Sequence, residues 1–259
     1  MIIELLLGAG LAIVALLATR WKSRAHKLGQ LLDNTTQKLE QLQVDFERFA
    51  PPDVVESLAG SGRYTKPEHK QVTVLFADLV GFTSMCDKLE PDVTVEILNG
   101  YFQRMSQAVS YHQGRVTELI GDGILALFGA LDHNPWQVQD AVKCGLAMRE
   151  RLVGYNEELR ARSYPELQLG IGIHKGAVLA GIMGNHEISK FGVVGDTINV
   201  AARVEALTRQ LGVDLLITDE IRSQLDVRFQ LQEMQPMPVK GKPHPIATYF
   251  VKSFEETKR

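Results

Sequence analysis

The chain has 259 residues, of which 45 % are hydrophobic and 23 % charged, an ordinary globular composition with length for one full domain and an appendage. Lys and Arg number 28 against 31 Asp and Glu, a net charge of −3, which excludes a chain-wide basic face for nucleic-acid phosphates. That composition excludes disordered and collagen-like classes, and with Cys86 and Cys144 the only cysteines, both in helical patterns, a disulfide framework is excluded and a reducing compartment fits.

Residues 2–19 are apolar apart from Glu4; at about 1.5 Å per residue they just reach the ~30 Å of a bilayer's hydrocarbon. An uncleaved anchor over residues 1–21 is favoured over a secretory signal, because Glu4 stands where a basic n-region belongs and Arg20-Trp21-Lys22 follows the run. It is favoured over a buried core helix because residues 5–18 carry no polar stripe. With Arg20, Lys22, Arg24 and Lys27 on the C-terminal side, the positive-inside rule puts the rest of the chain in the cytoplasm, on an inner membrane crossed once.

Leu28, Leu32, Thr35, Leu39, Leu42, Phe46 and Phe49 alternate steps of four and three, the a/d seam of a short, dimeric coiled coil over residues 22–50. An amphipathic helix lying on its own domain is the alternative, but Gln30, Asp33, Gln37, Lys38, Glu40, Gln41, Asp45 and Glu47 leave only that narrow stripe to bury. Pro51-Pro52 stops the helix. A short helix at 54–58 and Gly60-Ser61-Gly62 make residues 51–69 a linker. The globular domain then spans 70–253, with a tail at 254–259.

Within it, strands are expected at 71–76, 115–119, 124–128, 167–174 and 215–218, with two more flanking Gly241; helices are expected at 91–111, 136–160 and 197–211. The Asp122-Gly123 pair favours a tight turn between the second and third strands. The order β-α-β-β-α-β is an α+β, ferredoxin-like split βαβ core, with a β-α-β extension behind it.

Phe76-Ala77-Asp78-Leu79-Val80-Gly81-Phe82-Thr83 places a carboxylate at the end of an apolar strand and a glycine turn into a helix. Asp78 can ligate a divalent cation there, and the amides of Gly81, Phe82 and Thr83 can face phosphates. Asp122, at a neighbouring strand end, completes a pair of carboxylates able to bridge two metal ions. Either Asp alone would ordinarily be a capping or turn residue.

These two segments and Val194-Gly195-Asp196-Thr197-Ile198-Asn199-Val200-Ala201-Ala202-Arg203 together resemble, in order and spacing, the class III nucleotidyl cyclase catalytic domain, over residues 70–251. Residues 48–58, with Phe49-Ala50-Pro51-Pro52, resemble the element that precedes this domain in many bacterial members, and with the apolar N-terminal run the chain resembles a bacterial-type, membrane-anchored cyclase. The resemblance implies cyclisation of a nucleoside triphosphate with loss of pyrophosphate. It implies two Mg²⁺ or Mn²⁺ ions on Asp78, Asp122 and the Leu79 backbone carbonyl; Asn199 orienting the ribose; Arg203 stabilising the transition state; and Lys240 contacting phosphate. Asn199 and Arg203 are one helical turn apart and share a face. Lys240 on its own reads equally well as a surface turn lysine, and no side chain stands out as general base. The resemblance further implies a homodimer with active sites at the interface, metals on one subunit and the Asn/Arg pair on the other.

Two positions read the base in this family: four residues before the second metal Asp, here Glu118, and seven before the ribose Asn, here Gly192. Adenylyl cyclases usually carry Lys and then Asp or Thr; guanylyl cyclases usually carry Glu and then Cys. A carboxylate at Glu118 accepts from guanine N1–H and N2–H₂, so GTP is favoured, with ATP the alternative. Gly192 departs from both patterns and leaves only backbone or water for the far edge of the base. Two rivals are weaker. A catalytically inactive cyclase-fold dimerisation module should have lost a catalytic group, and none is missing; a polymerase-like palm would not explain Asn199 and Arg203. No residue pattern names a stimulus, and His133, His174 and His186 receive no role.

Overall fold

The computed structural model describes residues 20–22, 26–41, 67–130, 134–184, 189–238 and 244–255. The chain divides into two units, residues 1–63 and 64–259. In the first, residues 26–41 are helical, and Leu28, Leu32 and Leu39 are 59, 60 and 64 % exposed along it. The expected span at 2–19, the seam positions Leu42, Phe46 and Phe49, and Lys240 lie outside the described residues. Among the described residues, no helix is long and apolar enough to cross a membrane.

The second unit runs β1 (Glu68–Leu79), α1 (Phe82–Cys86), α2 (Pro91–Tyr111), β2 (Arg115–Ile120), β3 (Gly123–Phe128), α3 (Gln137–Ala161), β4 (Leu169–Gly184), β5 (Ser189–Val194), α4 (Asp196–Leu211), β6 (Leu215–Thr218), α5 (Asp219–Arg222), β7 (Phe229–Glu233) and β8 (Thr248–Phe254). Seven strands lie in the order β2-β3-β1-β4-β6-β8-β7, and β5 pairs with β4. The first four are antiparallel throughout, the split βαβ arrangement. β4 and β6 are parallel, joined across α4. The expected α+β class and the helix at 91–111 stand as read.

β1 is central, so its Val-Thr-Val-Leu run is buried on both faces rather than alternating. On one face Leu75, Ala77, Ile124, Ile171 and Ile173 meet α2 and α3 through Tyr101, Met105, Cys144 and Met148. On the other, Val72, Val74, Leu125 and Val178 meet Ala201 of α4. Helix α4 fits closely because β4 presents glycine beneath it. A Cβ on Gly172 would lie 2.2 Å from the Glu205 amide nitrogen and 2.4 Å from the Ala201 carbonyl oxygen, distances at which helix and strand could not coexist.

Two expectations about strands need correction. β4 continues ten residues past position 174, and β5 was not expected at all. Gly176, Gly181, Gly184 and Gly192 dilute the β-branched signal there. Pairing overrides that weakness: the second half of β4 is laddered to β1 from Glu68↔Ala180 to Thr73↔Lys175 and to β5 from Leu179↔Val194 to Gly184↔Ser189.

Candidate active site

Asp78 ends β1 on the same side as Val72 and Val74, the α4 side, by the two-residue alternation of a strand. Gly81 follows with φ 71°, a left-handed turn into α1 that glycine adopts without strain. Phe82 is buried in the core, so only its amide is left for a phosphate; Thr83 is exposed.

The β2–β3 hairpin closes with Ile120 paired to Gly123, and its positive φ belongs to Gly121 at 63°. The tip is therefore Gly121-Asp122, one residue earlier than the expected Asp-Gly turn, because Gly123 is already the first residue of β3. That placement brings Asp122 to the end of β1. A Cβ on Gly123 would lie 3.3 Å from Asp78 Oδ1. Burial first, then the charge of Asp78, push the Asp122 carboxyl above its ordinary value, against hydrogen bonds from its own amide and that of Leu79. The two carboxylates, with the Leu79 carbonyl beside them, form an all-oxygen donor set of the kind Mg²⁺ and Mn²⁺ take. Among the described residues no group of three His, Cys, Asp or Glu side chains forms a metal cluster; the Leu79 carbonyl oxygen is a further oxygen donor within reach of the two carboxylates.

A cation already contacts these groups. Arg209, near the end of α4, donates from Nη2 to Asp78 Oδ2 at 2.6 Å and to the Leu79 carbonyl oxygen at 3.4 Å. The same nitrogen lies 3.5 Å from Glu205 Oε1. Glu205 is 3 % exposed, and burial pushes its carboxyl up to about 7 against the pull of Arg209. Its Oε1 has no hydrogen-bond partner, and neither has the buried hydroxyl of Tyr101. That hydroxyl is held well above the ordinary tyrosine range by burial and then by Asp78, Asp122 and Glu205. None of Tyr101, Glu205 and Arg209 was expected at the site. The available signal was the Glu–Arg spacing of four on the helix that carries the Asn/Arg pair.

Asn199 and Arg203 do not join this cluster from within the chain. Four residues turn a helix by about 400°, so the two share a face; Ala201 and Glu205, about 200° away, share the opposite one. Ala201 and Glu205 pack against Gly172 of β4, whereas Asn199 is exposed and Arg203 half-buried. The helix thus turns one stripe toward its own sheet and Asp78, and the other outward.

Glu118 is half-buried on β2, immediately after a bulge between Val116 and Glu118 that shifts the register against β3 and re-aims the side chain. Gly192 lies in β5 opposite Gly181. A Cβ there would meet only Met183 Sδ, at 3.6 Å, so there is open space beside the backbone at this position.

A family model described as the adenylate and guanylate cyclase catalytic domain matches residues 64–253. The adenylate cyclase of Anabaena cylindrica is 32 % identical over 252 residues, covering 89 % of this chain and 49 % of that protein; the chain therefore spans about half the length of this relative. Among solved structures, the guanylyl cyclase Cya2 superposes with a TM-score of 0.68 at 31 % identity, over 74 % of this chain and 96 % of the other. The adenylyl cyclase CyaB from P. aeruginosa does so with 0.69 at 25 % identity, over 74 % and 98 %.

Proposed function

The chain belongs to the family of class III nucleotidyl cyclase catalytic domains, and from that premise we propose that it converts a nucleoside triphosphate, GTP in preference to ATP, to the 3′,5′-cyclic nucleotide and pyrophosphate. The ribose 3′-oxygen gives up its proton to water or to a phosphate oxygen of the substrate and attacks the α-phosphorus in line. The bond from that phosphorus to the oxygen bridging the β-phosphate breaks, and pyrophosphate leaves. Asp78, Asp122 and the Leu79 carbonyl would hold two divalent cations. Bound there, such ions lower the pKa of the attacking hydroxyl and neutralise charge on the phosphates. The amides of Gly81 to Thr83 and Lys240 contact the phosphates. Asn199 orients the ribose, and the fixed charge of Arg203 meets the developing charge at phosphorus.

The observation that carries this reading is the division of α4 into two opposed stripes. Glu205 and Arg209 serve the carboxylates of their own chain; Asn199 and Arg203 face away from them. A site needing both sets is complete only across a two-fold pair, which gives two equivalent sites per homodimer. Leu119, Ile120 and Val194, at 52, 51 and 58 % exposure, are exposed apolar side chains that a second copy would have to cover. The exposed leucine stripe on residues 26–41 supports a coiled coil that joins the two copies, and residues 1–21 would anchor it to the inner membrane with the catalytic domain in the cytoplasm.

For the base, Glu118 is the ground for GTP, since an ionised carboxylate opposite the N1 lone pair of adenine costs ~1–3 kcal/mol. The name of the Anabaena relative favours ATP, and the open space at Gly192 favours neither base. Competition between the two triphosphates on the purified chain, with Mg²⁺ and then Mn²⁺, separates these readings. Cyclic GMP in excess is expected. Cyclic AMP in excess would leave the reaction class standing and overturn the role given to Glu118. Neither product, with nucleotide binding insensitive to Asp78→Ala, would overturn the enzyme reading.

A further inference from the structure

Arg209 is held at two of the three groups assigned to metal binding, and the same guanidinium nitrogen faces a third, buried carboxylate. A buried acceptor without a partner costs roughly 1–3 kcal/mol, and such an atom in a folded protein calls for an explanation. Glu205 Oε1 is such an atom: it sits over Gly170, where a Cβ would come within 2.5 Å of it, and it lies 3.5 Å from Arg209 Nη2 without forming a hydrogen bond. Arg209 therefore stands between a carboxylate it bonds at 2.6 Å and one it does not yet bond. Its side chain is 41 % exposed, and a long flexible stem lets the head move by an ångström or two without disturbing α4.

We propose that Arg209 is a resident counter-cation that occupies the metal-binding groups Asp78 and Leu79 in the metal-free protein and transfers its guanidinium to Glu205 when a divalent cation arrives. Arg209 is a positioning residue in this scheme. It keeps Asp78 and Asp122 together against their mutual repulsion before metal binds, and Glu205 receives the displaced charge afterwards. No bond is made or broken; one ion pair is exchanged for another, and the orphan oxygen gains its donor. The inference rests on the reading of Asp78, Leu79 and Asp122 as the metal-binding set.

Binding of Mn²⁺ to the purified full-length chain without nucleotide, followed by electron paramagnetic resonance, tests it directly. Arg209→Gln is expected to bind Mn²⁺ about tenfold more tightly than the parent, because the ion no longer displaces a charged competitor. The same variant, without metal, is expected to melt at a lower temperature than the parent, with the deficit removed by saturating Mn²⁺. Glu205→Gln is expected to weaken Mn²⁺ binding several-fold, and to do so much less on the Arg209→Gln background, since Glu205 acts through the arginine. Arg209→Lys, which keeps the charge, should stay close to the parent and guards against a folding defect. Unchanged or weaker Mn²⁺ affinity in Arg209→Gln, with the parent binding Mn²⁺ through Asp78, would overturn this inference alone. A parent chain whose Mn²⁺ binding is indifferent to Asp78→Ala would overturn the metal assignment together with it.

Discussion

At Glu205 two opposing influences act on one carboxyl: burial raises its pKa, the guanidinium of Arg209 lowers it, and burial prevails, up to about 7 from an ordinary 4.5. A carboxyl whose folded pKa is raised binds its proton more tightly in the native state than in the unfolded chain. It therefore favours folding at low pH and loses that contribution as pH rises from about 4.5 to about 7. The metal-free protein should lose stability from this group over that window, by up to roughly 3 kcal/mol. Urea unfolding of the parent and of Glu205→Gln checks it: the variant should gain relative to the parent at pH 8, and the difference should close toward pH 5. A gap that stays constant with pH would show that Glu205 is ionised throughout. Asp78→Ala and Asp122→Ala should each lower cyclic-nucleotide formation by at least about 10²-fold with the fold intact, as judged by circular dichroism, because each removes a carboxylate that would hold the cations that neutralise the phosphates. Glu118→Lys should move the product ratio toward cyclic AMP, since an ammonium can donate to adenine N1 but not accept from guanine; an unmoved ratio would remove the basis for the GTP preference.

The packing of α4 on β4 explains why some elements were legible in the sequence and others were not. Helices with an uninterrupted apolar face, such as α2 with Tyr101, Met105 and Val109 inward, announce themselves by period. The strand β5 and the long tail of β4 do not, because their glycines answer to neighbours rather than to local propensity. The carboxylates Asp78 and Asp122 and the stripe of Asn199 and Arg203 could be read from spacing and motif. Arg209 could not be assigned to Asp78, because a contact spanning 131 positions is set by the topology and not by any local pattern. The close approach at Gly172 is a test of that topology. Gly172→Ala would push a methyl into the Glu205 amide and the Ala201 carbonyl, backbone atoms that cannot yield. We expect a loss of about 3 kcal/mol or more, or failure to fold, read as a fall in midpoint denaturant concentration. Gly154→Ala, where no atom lies within 4 Å of the new Cβ, should leave the midpoint nearly unchanged or raise it, since a helical glycine is being replaced.

For the whole molecule, the two stripes of α4 make a quantitative demand on assembly. If metal-binding carboxylates come from one copy and Asn199 with Arg203 from the other, a chain carrying Asp78→Ala and Asp122→Ala and a chain carrying Asn199→Ala and Arg203→Ala are each inactive as homodimers. Mixed and allowed to exchange subunits, they form heterodimers in which one site combines all the substitutions and the other none. At equal amounts about half of the dimers are mixed, and each has one intact site of two, so about a quarter of the parent activity should return. Were each site built within a single chain, no combination of these two variants could restore it, since every chain would still carry a defect of its own. The helix over residues 26–41 enters the same measurement. With Leu28, Leu32 and Leu39 changed to Glu, a seam that joins the copies would be lost, and the recovered activity should fall steeply on dilution, because only the contacts between the catalytic domains would remain to hold the pair. Recovery that is indifferent to dilution would mean that the catalytic domains associate by themselves and that the rod has some other task.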